Sequence, residues 1–286
     1  MLSGVLSAWN NTAAWLIDLA ANWQWIFLGG LISAGAISAC RHAHWLLAFL
    51  AIPLPWLTAA PALPISGQNS ESLSVVASNV HFENLHPQQL LDWLKAQDVD
   101  IAVLVEVSPS YVTSLSASVD YPYQTVIART DPFGMAVLSR IPIVETQTAQ
   151  NSRATVYIES TFHWQGNKVT IVAFHPMPPI TPAYQKQRDR ELRDLADRLE
   201  GSIAIIAGDF NATPWSTAFA GLNPIGLARA SGLSPTWPVA GGGVLGVPID
   251  NVFATRQWKV SERSIGPDVG SDHFPVLVRL TLDASL

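Results

Sequence analysis

Ile203-Ala204-Ile205-Ile206-Ala207-Gly208-Asp209-Phe210-Asn211 is an apolar run that ends in a carboxylate and a carboxamide. A short, unbroken apolar run closed by glycine reads as a strand covered on both faces. At its tip, Asp209 and Asn211 project from the same side of the backbone. One can anchor or activate water, and the other can hold a phosphoryl oxygen. Further along, Ser271-Asp272-His273 repeats the arrangement with an imidazole. Two strand tips of this composition point to metal-assisted phosphoester hydrolysis.

Other β-like runs carry polar residues in the same way. Asn79 closes a strand expected over 73–80, and Glu106 interrupts one over 101–107. His175 follows 168–174, Asp250 lies in 249–254, and Asp272 with His273 precedes 275–282. A polar or charged group in such a place is costly unless paired, hydrogen-bonded or metal-bound. Each residue has a bland alternative. Glu106 is either paired with an arginine or a ligand for a hard divalent cation. His175 is either a satisfied core histidine or a donor to a phosphoryl oxygen. Asp250 suits orienting His273 and stabilising its protonated form better than direct metal ligation.

Further strands are expected over 133–138 and 154–161, and helices over 87–97 and 184–200, the first opened by Pro87. Strands outnumber helices and several are wholly apolar, so helices must cover sheet faces, as in a layered α/β sandwich. The longest expected loop, 231–247, contains Gly241-Gly242-Gly243 and precedes one site strand.

Only 13% of the chain is charged and 49% is hydrophobic. Residues 1–65 hold Asp18 and Arg41 as their only formal charges. Two uncharged runs, 23–39 and 45–63, approach the length needed to cross ~30 Å of hydrocarbon. Tryptophans near their ends suit the headgroup region. Residues 1–20 then read as an interfacial helix, and 1–65 as a membrane anchor with a transmembrane hairpin. A linker over 66–72 leads to a catalytic domain over 73–286. No Lys or Arg opens the chain, which argues against a signal peptide. Arg41 in the short connection places that connection in the cytoplasm and the large domain outside. Cys40 is the single cysteine, so no intramolecular disulfide supports the fold.

The net charge of −6 does not favour avid binding to a nucleic-acid backbone. The densest basic segment, 186–193, alternates with acids and reads as a solvated helix face. Trp215, Trp237 and the glycine-rich loop suit a lipid headgroup, so the substrate is either nucleic acid or a phospholipid headgroup.

Taken together the residues resemble the endonuclease/exonuclease/phosphatase (DNase I-like) superfamily over about residues 73–282. Gly208-Asp209-Phe210-Asn211-Ala212-Thr213-Pro214 and Ser271-Asp272-His273-Phe274-Pro275-Val276 carry the resemblance. Residues 133–143, from Phe133 to Ile143, look like the family's central strand. With its apolar N-terminus the chain is similar to bacterial membrane-anchored members, which implies the inner membrane with an extracytoplasmic domain and contact with membrane lipid through 1–65. The resemblance implies a four-layer α/β/β/α sandwich with the site at one end of the two sheets. It implies Mg²⁺ or Mn²⁺ on Glu106, with Asn79 and Asp272 nearby. Asp209 would position or deprotonate the attacking water, Asn211 would hold the scissile phosphate, and His175 would bind a phosphoryl oxygen. Asp250 would support His273, which activates water or stabilises the phosphorane. Asn251 stands where His or Tyr is frequent and would alter the pocket wall. Arg140 and Arg153 are candidate phosphate contacts or structural ion pairs. A binding module that lost catalysis is the alternative, but it would show broken metal or base positions, and all are filled.

Overall fold

The computed structural model describes residues 2–67, 71–116, 120–150 and 156–283. The N-terminal part contains α1 (Leu2–Ala21), α2 (Gln24–Ala39) and α3 (Leu54–Thr58), with a 3-10 turn over Ala43–Ala51. The first sheet-forming stretch runs β1 (Leu73–Asn79), α4 (Pro87–Ala96), β2 (Ile101–Val105), α5 (Pro109–Ser116), β3 (Tyr123–Ile127) and β4 (Met135–Ser139). Next come β5 (Ile143–Gln150), β6 (Val156–Trp164), β7 (Asn167–Phe174), α6 (Pro182–Arg198) and β8 (Ile203–Asp209). The chain closes with β9 (Leu227–Arg229), β10 (Asp250–Thr255), β11 (Trp258–Ile265) and β12 (Val276–Leu282).

Two six-stranded sheets result, in the orders β11-β12-β1-β2-β4-β3 and β5-β6-β7-β8-β10-β9. Because side chains alternate across a strand, each central strand feeds two cores. Val75, Ala77, Val103 and Val105 face Ile171, Ala173, Ile205 and Ala207 between the sheets. Val76 and Leu104 turn the other way, onto Leu90 and Leu94 of α4 and Tyr111 and Leu115 of α5. Val172 and Ile206 of the second sheet likewise pack under Leu192, Leu195 and Leu199 beside α6. The chain is therefore a two-sheet α/β sandwich with helices against both outer faces.

Each sheet holds one parallel pair among its described strands, β1 with β2 and β7 with β8. A parallel pair needs a long crossover, supplied here by α4 and α6. Proline opens both helices, where its missing N–H costs nothing, and Thr181 caps α6 by accepting from the Tyr184 N–H at 3.2 Å. β10 runs antiparallel to β8 with Asp250 opposite Asp209, and β12 runs antiparallel to β1. The ends of the parallel pairs and the starts of β10 and β12 therefore meet at one end of the sandwich.

The N-terminal segment corrects the membrane expectation. Among the described residues no helix is long and apolar enough to cross a membrane. α2 has 16 residues, which at 1.5 Å per residue span about 24 Å, short of ~30 Å of hydrocarbon. The second apolar run is not one helix: it breaks into the 3-10 turn, the five-residue α3 and an extended strand-like stretch, with Pro53 and Pro55 at the break. Asp18 of α1 is 1% exposed and paired with buried Arg188 of α6, Oδ2 to Nη2 at 3.1 Å. An interfacial helix would turn this carboxylate toward water or headgroups; here it has a buried cationic partner instead. The transmembrane hairpin, the inner-membrane location with an external domain and the lipid contact through 1–65 are thus unsupported. Beyond α3 the chain lies along the sheet edges. Leu63 N–H donates to Arg229 O at 2.9 Å beside β9, and Ser66 N–H to Val260 O at 2.8 Å beside β11. Leu63 itself is buried in the inter-sheet core. These bonds cover part of each edge.

Candidate active site

The tip of β8 explains why glycine precedes the aspartate. Gly208 has φ +144°, and a Cβ there would come within 2.2 Å of Phe174 O on the neighbouring strand. That close approach brings the β7 and β8 tips together, so His175 Nε2 lies 3.7 Å from Asp209 Oδ2. Asp209 Oδ1 accepts the Asn211 N–H at 2.8 Å, which turns Asn211 into the left-handed region at φ +49°. Asn211 Nδ2 then reaches Pro176 O at 3.1 Å, joining the two loops.

The β1 and β2 tips supply the opposite wall. Glu106 adopts φ +65°, an uncommon conformation for a residue with a Cβ, and is half-buried. Its Oε1 accepts from Asn79 Nδ2 at 2.8 Å and its Oε2 from the Phe82 N–H at 3.2 Å. Asn79 Nδ2 also donates to Asp209 Oδ2 at 3.2 Å, so one amide bridges carboxylates of both sheets. The Asn79 oxygen accepts the His81 N–H at 2.9 Å.

The loop before β12 contributes the imidazole. Ser271 Oγ donates to Asn79 O at 2.8 Å and accepts the His273 N–H at 3.1 Å. His273 Nδ1 meets Asp250 Oδ2 at 2.8 Å, leaving Nε2 3.9 Å from Asp209 Oδ2. Asp272 is the more open carboxylate, its side chain 46% exposed, and its Oδ2 accepts from Trp237 Nε1 at 2.9 Å.

Burial sets the electrostatics. It pushes the Asp209 carboxyl up to about 7, reinforced by the Asp250 charge and opposed by His273. Burial lowers the His175 imidazole, which stays neutral near pH 7. For His273 burial also disfavours the cation, but Asp250, Asp209 and Asp272 outweigh it and raise the group to about 10.

A cavity of about 360 Å³ is lined by Glu106, His175, Asp209, Asn211, Asp272 and His273, with Phe133 and Trp237 as aromatic walls. Asn79 and Asp250 stand behind Glu106 and His273 respectively. All eight residues singled out in the sequence therefore gather at one place. No lysine or arginine is among the described lining residues. An anionic ester entering this cavity would be repelled by three carboxylates, and a hard cation would offset them. Oxygen donors from Glu106 and Asp272 suit such an ion, and the open mouth lets it keep part of its water shell. Asp209, Asp250 and His273 also bring ligand atoms within 4.8 Å of one another. These three are buried, whereas Glu106 is half-buried and Asp272 more open, so the latter pair leaves an ion more of its water.

Some expectations move. Asn251 is fully buried, bonded to Ser231 and Ala212, and forms no part of the cavity wall. Arg140 pairs with Asp98 and stacks over Tyr121, a structural role away from the cavity. Arg153 lies outside the described residues. Trp215 is buried against the N-terminal segment, whereas Trp237 faces the cavity. Arg188, within the helix read as a solvated face, is 1% exposed, while Lys186, Arg190 and Arg193 do face solvent. Phe133 and Ser271 were within quoted motifs, but nothing local marked them as cavity wall and tie.

No curated protein matches the chain. Among solved structures, a humanized TDP2 from D. rerio superposes with TM-score 0.62 at 18% identity, covering 73% of this chain and 99% of that one. An endonuclease/exonuclease/phosphatase from Bacteroides vulgatus gives TM-score 0.63 at 18% identity, covering 74% and 99%. D. rerio TDP2 complexed with single-strand DNA product gives 0.60 at 18%, covering 74% and 99%. At such identity these likenesses speak for the fold alone. The family model for endonuclease/exonuclease/phosphatase proteins matches residues 76–273, a span that opens in β1 and ends on His273 itself. By that match, on a sandwich whose strand tips converge as described, the chain belongs to the endonuclease/exonuclease/phosphatase family.

Proposed function

We propose that the protein is a divalent-metal-dependent phosphoesterase that hydrolyses phosphodiester or phosphomonoester bonds by in-line attack of water. The observation that carries this reading is one cavity lined by Glu106, Asp209 and His273, with no lysine or arginine among its described lining residues. Glu106, with Asn79 bonded to it and Asp272 on the lining of the same cavity, would hold Mg²⁺ or Mn²⁺, which supplies charge neutralisation on phosphoryl oxygens. Asp209 takes the proton of the water whose oxygen bonds to phosphorus as the bond to the leaving oxygen breaks. Asn211 and neutral His175 donate to phosphoryl oxygens. His273, held by Asp250, turns a cationic N–H toward charge that grows in the transition state. The chemistry is assigned to residues 73–286, where all these side chains lie.

The substrate is a phosphoester of nucleic acid or of a lipid headgroup. TDP2 solved with a single-strand DNA product makes a DNA strand a substrate to try first. The test uses the full chain with bis-para-nitrophenyl phosphate, with and without chelator. Chelation should abolish turnover, added Mg²⁺ or Mn²⁺ should restore it, and His273→Ala should lower kcat about 10²–10⁴-fold. Equal rates with and without chelator, or in both proteins, overturn the proposal. Single-stranded oligonucleotides and phospholipid dispersions then separate the two substrate classes. Tight binding of either without any turnover would mark an inactive binding module.

A further inference from the structure

Arg188 is buried in α6, yet each nitrogen of its guanidinium donates, in four hydrogen bonds. Nε donates to Asp189 Oδ1 at 2.9 Å and Nη2 to Asp18 Oδ2 and Ser216 Oγ, both at 3.1 Å. Nη1 donates to Asn211 O at 2.8 Å. The last bond reaches the site directly. Asn211 is held in its left-handed conformation by its N–H on Asp209, its amide on Pro176 and its carbonyl on Arg188.

Asp18 fixes Arg188 from the N-terminal helix. Its Oδ1 accepts the Thr217 N–H at 2.6 Å and Thr217 Oγ1 at 2.9 Å, on the segment that follows Asn211. Burial works against this carboxylate, but the Thr217 N–H and Arg188 outweigh it and keep the carboxyl below its usual range. One turn earlier on the same helix face, Trp15 Nε1 donates to Pro179 O at 2.7 Å. Pro179 belongs to the loop that leaves His175, and its neighbour Pro178 lines the cavity. One turn later Asn22 Oδ1 accepts from Thr213 Oγ1 at 2.8 Å. One face of α1 thus grips both loops that carry the His175, Asp209 and Asn211 side chains.

We infer that α1 is a positioning element of the site, with Asp18 acting through Arg188 to hold Asn211 and Trp15 steadying the loop after His175. The inference rests on the phosphoesterase reading for its kinetic consequence, while its structural consequence stands without it. Neither Asp18 nor Trp15 is among the described lining residues of the cavity.

The test compares the full chain with Asp18→Asn and, because a buried arginine left without its partner can prevent folding, with Trp15→Phe, which removes the indole N–H and part of the ring. Two readouts are taken well below each protein's melting temperature: hydrolysis of bis-para-nitrophenyl phosphate at saturating Mg²⁺, and amide hydrogen exchange by mass spectrometry. Asp18→Asn should lower kcat at least tenfold with KM changed less than threefold, and should speed exchange in 209–217 tenfold or more while 101–105 stays unchanged. Trp15→Phe should lower kcat two- to fivefold and speed exchange at the Met177, Ile180 and Thr181 amides, the three that the proline-rich loop offers. A folded Asp18→Asn protein with wild-type kcat and wild-type exchange in 209–217 overturns the inference, as does a uniform rise across all strands. If Asp18→Asn does not fold, wild-type exchange at those three amides of Trp15→Phe overturns it. A wild-type chain inert toward every phosphoester refutes the proposed function instead, and the exchange readout still decides whether α1 holds the loops.

Discussion

At the carboxyl ends of β1 and β2 the chain places Asn79 and Glu106; at the carboxyl ends of β7 and β8 it places His175 and Asp209. Both pairs are parallel and both are joined by one crossover helix. They differ in how the tips meet water. Glu106 is half-buried in a left-handed turn on the cavity wall. Asp209 is 2% exposed, pressed beneath the Gly208 crossing, and its carboxyl rises to about 7. Repetition of one βαβ construction therefore yields two carboxylates suited to two tasks, with burial at the tip deciding which. An open carboxylate can take a ligand from solvent; a dry one is poised to exchange a proton near neutrality.

The sharpest way to break that comparison is to neutralise the dry side. Asp209→Asn should lower kcat about 10³–10⁴-fold, within the range set by loss of a general base, while the metal concentration for half-maximal rate stays within threefold. Steady-state kinetics over a Mg²⁺ series checks both, and a large shift in metal requirement would move Asp209 to the metal side. Asn79→Ala should cost about 10–100-fold in activity or metal affinity, as expected for a group that supports a ligand, because its amide bridges Glu106 and Asp209. The same Mg²⁺ series reads it, and an unchanged profile would mean the two sides act independently.

His273 offers a pH-dependent version. Its folded value stands above that of the unfolded imidazole, so the stabilisation is complete below about pH 6.5 and is lost as pH rises through about 10. Melting temperature in chelator should fall over that window for the wild type, and Asp250→Asn should flatten the decline. Parallel curves would show that Asp250 does not hold the imidazolium. The smallest effect is expected at Arg140→Ala. Its partner Asp98 is 89% exposed, and an exposed pair contributes about 0–1 kcal/mol. Thermal melts should shift little and hydrolysis should change less than twofold; a large loss of activity would restore Arg140 as a phosphate contact.

The site was legible in the sequence because its polar residues interrupt or end fully buried strands, where they stand out against apolar neighbours. Ile101–Val105 and Ile203–Asp209 are of this kind. The strands without that signal, Tyr123–Ile127, Ile143–Gln150, Leu227–Arg229 and Trp258–Ile265, lie at sheet edges and mix polar with apolar residues. Arg188 was hidden for another reason. Its helix is charged all round, and the carboxylate that buries it is Asp18, distant in sequence. Hydropathy misled over residues 23–63 because a window average does not register where a helix stops. Pro53 and Pro55, and the turn to an extended edge segment at Ala60, interrupt the path that a spanning helix would need.

The central claim is that an open carboxylate holds a cation on one side of the cavity while a buried one handles the proton on the other. A crystal of the full chain soaked in Mn²⁺ tests it most directly through the anomalous signal of the metal. The account predicts a peak about 2.0–2.3 Å from a Glu106 carboxylate oxygen, on the side of the cavity bordered by Asp272. A peak ligated by Asp209, Asp250 and His273 instead, or none within the cavity at saturating Mn²⁺, would contradict it.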